Sequence, residues 1–209
     1  MRSVKCEKSH LSPHTPHLTL MKRFLYTIWE IAEVFFIALI AVVAIKYFLV
    51  QPFIVNGASM EPSFYDGDYL LIDELSYRFK DPQRGDVIVF KAPQDESTYY
   101  IKRVIGLPGE RVEIQDRSIR IYSANDPDGL ELEETYLQDG IRNEWRGNII
   151  VTLKDGQYFV LGDNRVNSYD SRFWGPLEKD SIVGLVKLRL WPMQEVSFFN
   201  RVEYSQVQN

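Results

Sequence analysis

The chain has 209 residues, of which 45% are hydrophobic and 25% charged, and this composition is typical of one folded core with at most a small subdomain. The formal net charge is −5, but five of the 24 basic residues and one of the 29 acidic residues lie in the first 25 positions, which leaves 19 basic and 28 acidic residues in the remainder. An acidic body behind a basic N-terminus argues against a nucleic-acid-binding surface.

Residues 1–27 are predicted to form a basic cytoplasmic tail, of which residues 1–20 are expected to be flexible. The single cysteine and all three histidines lie in this segment: Cys6, His10, His14 and His17. Prolines between the histidines disfavour a regular helix that would gather them around a metal ion, which stays the alternative. The chain after residue 17 lacks the side chains for a Ser-His-Asp triad, a cysteine nucleophile or a His-ligated zinc, so we predict no metal and no cofactor. Met21 is an alternative start of translation.

Residues 28–50 form an apolar run with charged side chains only towards its ends. As a helix this run is about 34 Å long, enough to cross a hydrocarbon layer of about 30 Å. We predict an uncleaved, single-pass anchor in the cell membrane, because the run is longer than the apolar part of a signal peptide. Lys22 and Arg23 precede it, whereas residues 51–77 hold five acids and no base, which predicts a cytoplasmic N-terminus and a body on the outer face. A buried core helix is the alternative.

From residue 51 onward, short β-branched and aromatic runs alternate with turns that contain Gly and Pro, a pattern typical of an antiparallel sheet or barrel. The predicted strands are 53–55, 69–72, 87–90, 99–105, 112–114, 118–122, 158–161 and 182–190. The sequence therefore predicts a mainly β catalytic domain over residues 51–195, with a small inserted β subdomain at 111–155 and a C-terminal tail at 196–209.

Ser59 lies among small residues in the stretch 57–62, which predicts a tight turn that presents a hydroxyl, although inert turns have the same composition. Without histidine, a serine nucleophile needs another base, and lysine is the known substitute. Lys102 is the best candidate, because strand alternation places it on one face with Tyr100, where apolar neighbours would lower its pKa, and sends Arg103 to the opposite face. A lysine at a sheet edge with its amine in water is the alternative.

Residues 162–172 follow an apolar strand and are rich in hydrogen-bonding side chains. One interpretation is a loop that supports the site, with the Ser168 hydroxyl orienting the lysine amine and an Asp170–Arg172 pair stiffening the loop. A polar surface loop is the alternative.

These segments resemble the successive motifs of type I signal peptidases, also called leader peptidases. The matching stretches are 56–62, 84–90, 100–109 and 162–175, in the order of the family and behind an N-terminal anchor. The resemblance covers roughly residues 30–195. The fold of the family is similar to the β-rich architecture predicted above, which implies a barrel-like signal peptidase catalytic domain. The resemblance implies a membrane-bound serine endopeptidase that removes signal peptides from exported preproteins after a small-x-small site.

The resemblance also implies roles for individual residues. Ser59 matches the nucleophile, Lys102 the general base, and Ser168 the serine that is hydrogen-bonded to the lysine amine. Asp170 and Arg172 match the pair that supports the loop, and Met60 matches a residue of the substrate-binding floor. Gly57 stands where some members have a serine whose hydroxyl helps hold the oxyanion, which leaves the Ser59 N–H as the main donor.

The partners implied are the signal peptides of secreted preproteins and the lipid bilayer, with no nucleic acid, and we expect a monomer. Phe53, Ile54 and Trp191 are candidate contacts to the membrane surface, with burial in the core as the alternative. Two other functions stay open. A self-cleaving repressor shares the Ser/Lys chemistry but needs a DNA-binding module, and an anchored β-domain could bind exported chains without cutting them.

Overall fold

A computed structural model describes residues 16–48, 50–115, 118–137, 147–202 and 204 of the chain. The chain divides into two compact units, Met1–Ile45 and Lys46–Asn209. Helix α1 spans Pro16–Phe48. Its segment Lys22–Val43 is long and apolar enough to cross a membrane, with a mean hydropathy of 2.0, and its side chains are exposed. By length and composition this segment therefore fits the predicted membrane anchor.

Helix α1 differs from the predicted anchor 28–50 at both ends. It begins at Pro16, inside the predicted flexible tail, because proline lacks only an N–H that the first helical turn leaves unpaired anyway. It ends at Phe48, and Val50 already belongs to the first strand, so the apolar run does not mark the end of the helix. The predictions for residues 1–15, including the metal alternative at His10 and His14, lie outside the described residues.

The unit Lys46–Asn209 consists mainly of antiparallel strands in two sheets, which confirms the predicted mainly β fold class. The strands are β1 Val50–Ile54, β2 Tyr69–Asp73, β3 Val87–Ala92, β4 Asp95–Gly106, β5 Arg111–Gln115, β6 Ser118–Tyr122, β7 Leu130–Glu131, β8 Ile149–Thr152, β9 Gln157–Leu161, β10 Leu177–Glu178, β11 Ile182–Trp191 and β12 Ser197–Phe198. Short helices lie at α2 Ser76–Phe79 and α3 Ser171–Trp174, with 3₁₀ turns at Lys179–Ser181 and Met193–Glu195.

The larger sheet has the order β1-β2-β11-β3-β4-β9-β10, with β12 paired to β11. Strand β4 is the element that gathers the candidate site. On one side it pairs with β3, where Lys102 lies opposite Ile88, and near its end it pairs with β9, where Arg103 lies opposite Leu161. The loop that begins at residue 162 therefore starts beside Lys102. The serine turn is part of the connection between β1 and β2 and is closed by a hydrogen bond from the Val55 N–H to the Asp68 carbonyl, 2.9 Å long.

The smaller sheet has the order β7-β6-β5-β8 and falls within the segment 111–155 predicted as an insertion. Its apolar face packs against β4 and β9 through a buried cluster that includes Ile105, Val112, Ile121 and Phe159. The domain boundaries given above stay predictions. The segment 196–209 was predicted as a C-terminal tail, but its first residues are part of the fold. Strand β12 pairs with β11, and Phe199 packs onto the core of the larger sheet.

Candidate active site

The serine turn is fixed by hydrogen bonds and by a buried side chain. Gly57 has φ +91°, a conformation that glycine adopts without steric cost, and its N–H donates to Asp66 Oδ1 over 2.7 Å. One residue after the serine, the Met60 side chain is fully buried in the core of the larger sheet with Phe64. Ser59 is partly exposed between these two anchored neighbours, so its hydroxyl is presented from a rigid turn.

The structure brings Ser59 and Lys102 together. Lys102 Nζ lies 2.7 Å from Ser59 Oγ and donates a second hydrogen bond to the Ile101 carbonyl over 2.8 Å. Lys102 is only 4% exposed, and its Nζ lies 5.6 Å from the centroid of the Tyr100 ring. The lysine is therefore not at a solvated sheet edge.

Burial lowers the pKa of Lys102 from 10.5 to about 8. The carboxylates of Asp170 and Asp163 oppose this shift, whereas the Arg172 guanidinium adds to it. The loss of hydration dominates, because each carboxylate is itself paired with an arginine, Asp163 with Arg103 and Asp170 with Arg172. A neutral amine next to a serine hydroxyl can accept its proton, and the lowered pKa increases the neutral fraction of Lys102 at a given pH.

Asn164 holds the backbone of the serine turn and was missed in the sequence. Its backbone N–H donates to the Ser59 carbonyl over 3.0 Å, and its side-chain amide donates to the Ala58 carbonyl over 3.1 Å. The sequence does contain a hint of this role, because Asn164 lies in a polar stretch directly after an apolar strand. That this stretch lies beside the serine turn depends on tertiary packing, which the local sequence pattern does not predict.

The predicted Asp170–Arg172 pair is present and buried. Arg172 Nε donates to Asp170 Oδ1 and Arg172 Nη2 to Asp170 Oδ2, both over 2.8 Å. The same carboxylate accepts the Gly162 N–H over 3.0 Å and caps the N-terminus of α3. One carboxylate thus joins the two ends of the loop 162–172.

Ser168 is buried against the site, but its predicted hydrogen bond to the lysine amine is not present. Among the described residues, Ser168 Oγ has no hydrogen-bond partner. A Cβ at Gly162 would overlap both this hydroxyl and the Ser59 carbonyl oxygen, so Ser168 and Ser59 approach the same backbone position. The orienting role of Ser168 stays a prediction.

Arg103 lies away from the Ser59 hydroxyl, as alternation predicts, yet it is as buried as Lys102 because both faces of β4 are covered here. It forms a bidentate ion pair with Asp163, with N–O distances of 2.9 and 2.6 Å, and also donates to the Gly85 carbonyl. Asp163 is fully buried. The sequence pattern did not predict a role for either Arg103 or Asp163.

Ser59 and Lys102 line a cleft with a volume of about 370 Å³. The other lining residues are mostly apolar: Phe53, Ile54, Val55, Asn56, Leu70, Val89, Thr98, Tyr99, Tyr100 and Ile101. Met60 does not line this cleft, so its predicted place in the substrate floor stays a prediction. Gly57 has its N–H bound to Asp66, whereas the Ser59 N–H has no partner among the described residues; the predicted role of the Ser59 N–H as oxyanion donor stays a prediction. Within the same described part of the chain, no group of His, Cys, Asp and Glu is arranged to hold a metal ion.

Comparisons with known proteins identify the family. Residues 28–191 match the family model of signal peptidase, peptidase S26. The probable signal peptidase I-2 of Synechocystis sp. is 34% identical over 173 residues, covering 80% of this chain and 75% of the relative. Signal peptidase IB of Staphylococcus aureus (strain MRSA252) is 32% identical over 194 residues, covering 86% of this chain and 95% of the relative. A solved signal peptidase I from Enterococcus faecalis V583 is 37% identical, covers 51% of this chain and 97% of its own, and has a TM-score of 0.43.

The chain belongs to the signal peptidase family, peptidase S26. The resemblance described from the sequence motifs is thereby confirmed.

Proposed function

We propose that this protein is a membrane-bound serine endopeptidase that removes N-terminal signal peptides from exported preproteins, with Ser59 as nucleophile and Lys102 as general base. The observation that carries the proposal is the 2.7 Å contact between Lys102 Nζ and Ser59 Oγ, made by a lysine whose pKa burial lowers to about 8, so that far more of the neutral amine is present near neutral pH than for an exposed lysine. Membership of the signal peptidase family supports the choice of substrate.

The catalytic steps follow from this contact. Neutral Lys102 takes the Ser59 proton as Oγ attacks the scissile carbonyl, and the Ser59 N–H donates to the oxyanion that forms. The lysine ammonium then protonates the leaving amine, which departs and leaves an acyl-enzyme ester on Ser59. Lys102, neutral again, takes a proton from a water molecule that hydrolyses the ester and restores the serine hydroxyl.

The apolar cleft supports a substrate that is held in an extended conformation and cut after a small-x-small site. Phe53 and Tyr99 both line the cleft and pack edge to face, with ring centroids 5.3 Å apart, so aromatic surface forms part of the proposed contact with the substrate. The proposed functional form is a monomer.

The proposed location is the cell membrane, with Lys22–Val43 as a single span, the N-terminus in the cytoplasm and the catalytic domain on the outer face. Three exposed apolar side chains lie in one row across neighbouring strands of the larger sheet. Ile54 is opposite Tyr69, and Tyr69 is opposite Trp191. Their exposures of 54%, 38% and 54% make this row the proposed contact with the membrane surface. Phe53, by contrast, packs partly into the core.

The test is cleavage of a preprotein by the detergent-solubilised full chain and by its variants Ser59→Ala and Lys102→Ala. Each variant is expected to lose at least about 10³-fold in kcat, because the nucleophile and its base act as one unit. Lys91→Ala is the matched control, since Lys91 is an exposed lysine on the neighbouring strand β3. Undiminished cleavage by either site variant would overturn the Ser/Lys dyad. Binding of the preprotein without cleavage by the unmodified protein would support a binding domain instead.

A further inference from the structure

The chain returns across the body after β12. We name residues 199–204 the C-terminal strap; residue 203 is not among the described residues. The Phe199 N–H donates to the Lys187 carbonyl over 2.8 Å, and the Phe199 ring lies 4.4 Å from the ring of Phe64. Phe64 belongs to the same buried cluster as Met60, the residue that follows Ser59. The first residue of the strap therefore packs under the serine turn.

The middle of the strap lies on the turn before β3. The carbonyl oxygen of Val202 occupies the place where a Cβ of residue 85 would be, so only glycine fits there. The carbonyl of Gly85 accepts a hydrogen bond from Arg103 Nη1 over 3.0 Å. The strap thus covers the backbone that holds one side of the Arg103 guanidinium.

The end of the strap contacts Tyr136. The Tyr204 hydroxyl donates to the Tyr136 hydroxyl over 3.2 Å, and the two rings meet edge to face with centroids 6.2 Å apart. Tyr136 in turn contacts two buried arginines. Its hydroxyl accepts from Arg165 Nη2 over 3.0 Å, and its ring lies 4.2 Å from the Arg103 guanidinium carbon.

These two arginines hold the loop behind Ser59. Arg103 binds the carboxylate of Asp163, and Arg165 donates to the Gly162 carbonyl over 2.9 Å while it pairs with Glu134. Asn164, which lies between Asp163 and Arg165 in the chain, donates its backbone N–H to the Ser59 carbonyl. The strap is therefore connected to the nucleophile's backbone through four successive contacts. Tyr204 contacts Tyr136, Tyr136 contacts the two arginines, the arginines bind the loop, and Asn164 of the loop binds the Ser59 carbonyl.

We propose that the C-terminal strap positions the loop 162–165, and through it the backbone of Ser59, so that Tyr204 is a positioning residue for the reaction. The inference rests on the proposed function for its effect on turnover. The physical reason is that Arg103, Asp163, Arg165 and Glu134 are all buried charges, whose interactions weaken when water reaches them. The described strap residues cover this cluster, and none of them lines the substrate cleft.

The experiment compares membrane-anchored chains that begin at residue 1 and end at different C-terminal residues. A chain that ends at Phe198 lacks the strap, whereas a chain that ends at Tyr204 keeps it and is the matched control. Tyr204→Ala removes one side chain from an otherwise intact strap, and Tyr204→Phe restores the ring without the hydroxyl. Two quantities are measured: kcat and KM for cleavage of a signal-peptide substrate, and amide hydrogen exchange of peptides that cover residues 159–168.

Loss of the strap, or Tyr204→Ala, is expected to lower kcat by about tenfold with KM changed by less than about twofold, because the loop shifts while the cleft stays formed. Exchange in the loop is expected to increase in the same variants, and Tyr204→Phe is expected to recover part of both effects. Unchanged loop exchange in the chain that ends at Phe198, or a kcat equal to that of the control, would overturn the proposal. If the unmodified protein cleaves no signal peptide, the proposed function fails, and loop exchange alone still decides whether the strap positions the loop.

Discussion

Lys102 Nζ and Ser59 Oγ are 2.7 Å apart, although the residues are separated by 43 positions in the chain. Lys102 lies within the part of β4 that is covered on both faces, and its two hydrogen-bond acceptors, Ser59 Oγ and the Ile101 carbonyl, are uncharged. An ammonium in such a place loses hydration and gains no direct ion pair. The low pKa of Lys102 is thus a consequence of where the sheet places it.

Activity is expected to rise with pH through about 8 and to fall on acidification, since burial lowers the pKa of Lys102 to about 8 and only the neutral amine accepts the serine proton. The measurement is kcat/KM of the free enzyme between about pH 6 and 10. Lys91→Ala should leave the midpoint in place, because the Lys91 side chain is exposed. A profile that is flat across this range would contradict the role of Lys102 as base.

Asp170→Asn is expected to destabilise the protein by about 3–5 kcal/mol, because it removes the charge of the buried carboxylate that pairs with Arg172 through two hydrogen bonds. Thermal or denaturant unfolding of the detergent-solubilised protein measures this loss. Asp81→Asn is the control, because Asp81 pairs with Lys179 at the surface, where side-chain exposures are 74% and 44%. An exposed pair contributes less than about 1 kcal/mol, so equal effects of the two substitutions would contradict the buried pair's importance.

Gly57→Ser and Gly57→Ala together test whether a hydroxyl at this position can serve the oxyanion. Nothing lies within 4 Å of a Cβ at residue 57, so both side chains fit, but φ +91° costs each of them about 1–2 kcal/mol. Because the strain is shared, the ratio of their kcat values isolates the hydroxyl. We expect the serine variant to turn over at least about tenfold faster than the alanine variant. Equal kcat values would show that the hydroxyl does not reach the oxyanion.

Gly85→Ala is expected to destabilise the protein by clearly more than Gly156→Ala. Both glycines have positive φ, +90° and +76°, so the backbone strain of about 1–2 kcal/mol is similar at the two positions. Only at residue 85 does the new methyl group meet the Val202 carbonyl, whereas nothing lies within 4 Å at residue 156. The difference between the two unfolding midpoints measures how firmly the strap is held. Equal midpoints would mean that the strap moves aside freely.

Spin labels are expected to report lipid contact along the row Ile54, Tyr69 and Trp191. In a Cys6→Ser background, Ile54→Cys and Trp191→Cys are labelled in the membrane-embedded full chain, and Glu178→Cys serves as an exposed control on β10. The first two labels should be more accessible to oxygen than to a polar nickel reagent, because oxygen concentrates in the acyl region. The same preference for the polar reagent at all three positions would contradict a membrane contact for this row.

The sequence predicted the elements whose pattern is local. The strands around Leu70, Ile88 and Val160 are each a short apolar run bounded by turn residues, and each is present within one or two positions. Lys102 stood out because the body contains no histidine that could serve as its rival. Strand alternation correctly predicted that Lys102 and Arg103 point to opposite faces of β4. It could not reveal that Arg103 is buried as well, because its partner Asp163 lies 60 positions away.

The parts that were missed depend on contacts between distant segments. Residues 196–209 are polar and aromatic without a clear period, which reads as a tail, yet Phe199 and Tyr204 pack against core residues far earlier in the chain. The start of α1 at Pro16 was hidden because proline usually signals a break and is tolerated only in the first turn. The expected contact of Ser168 with the lysine amine needs a side-chain direction that neither composition nor spacing specifies.

Strand β11 lies between β2 and β3 and pairs with both. Strands β2 and β3, which are consecutive in the chain, are thus connected in the sheet by hydrogen bonds to a strand that is synthesised near the end of the chain. During synthesis, β2 and β3 each present an unpaired edge until residues 182–191 are available. Ser59 and Lys102 are carried by the segments on either side of that gap. The order in which ribosomes deliver the chain therefore delays assembly of the reactive pair until nearly the whole protein has been made.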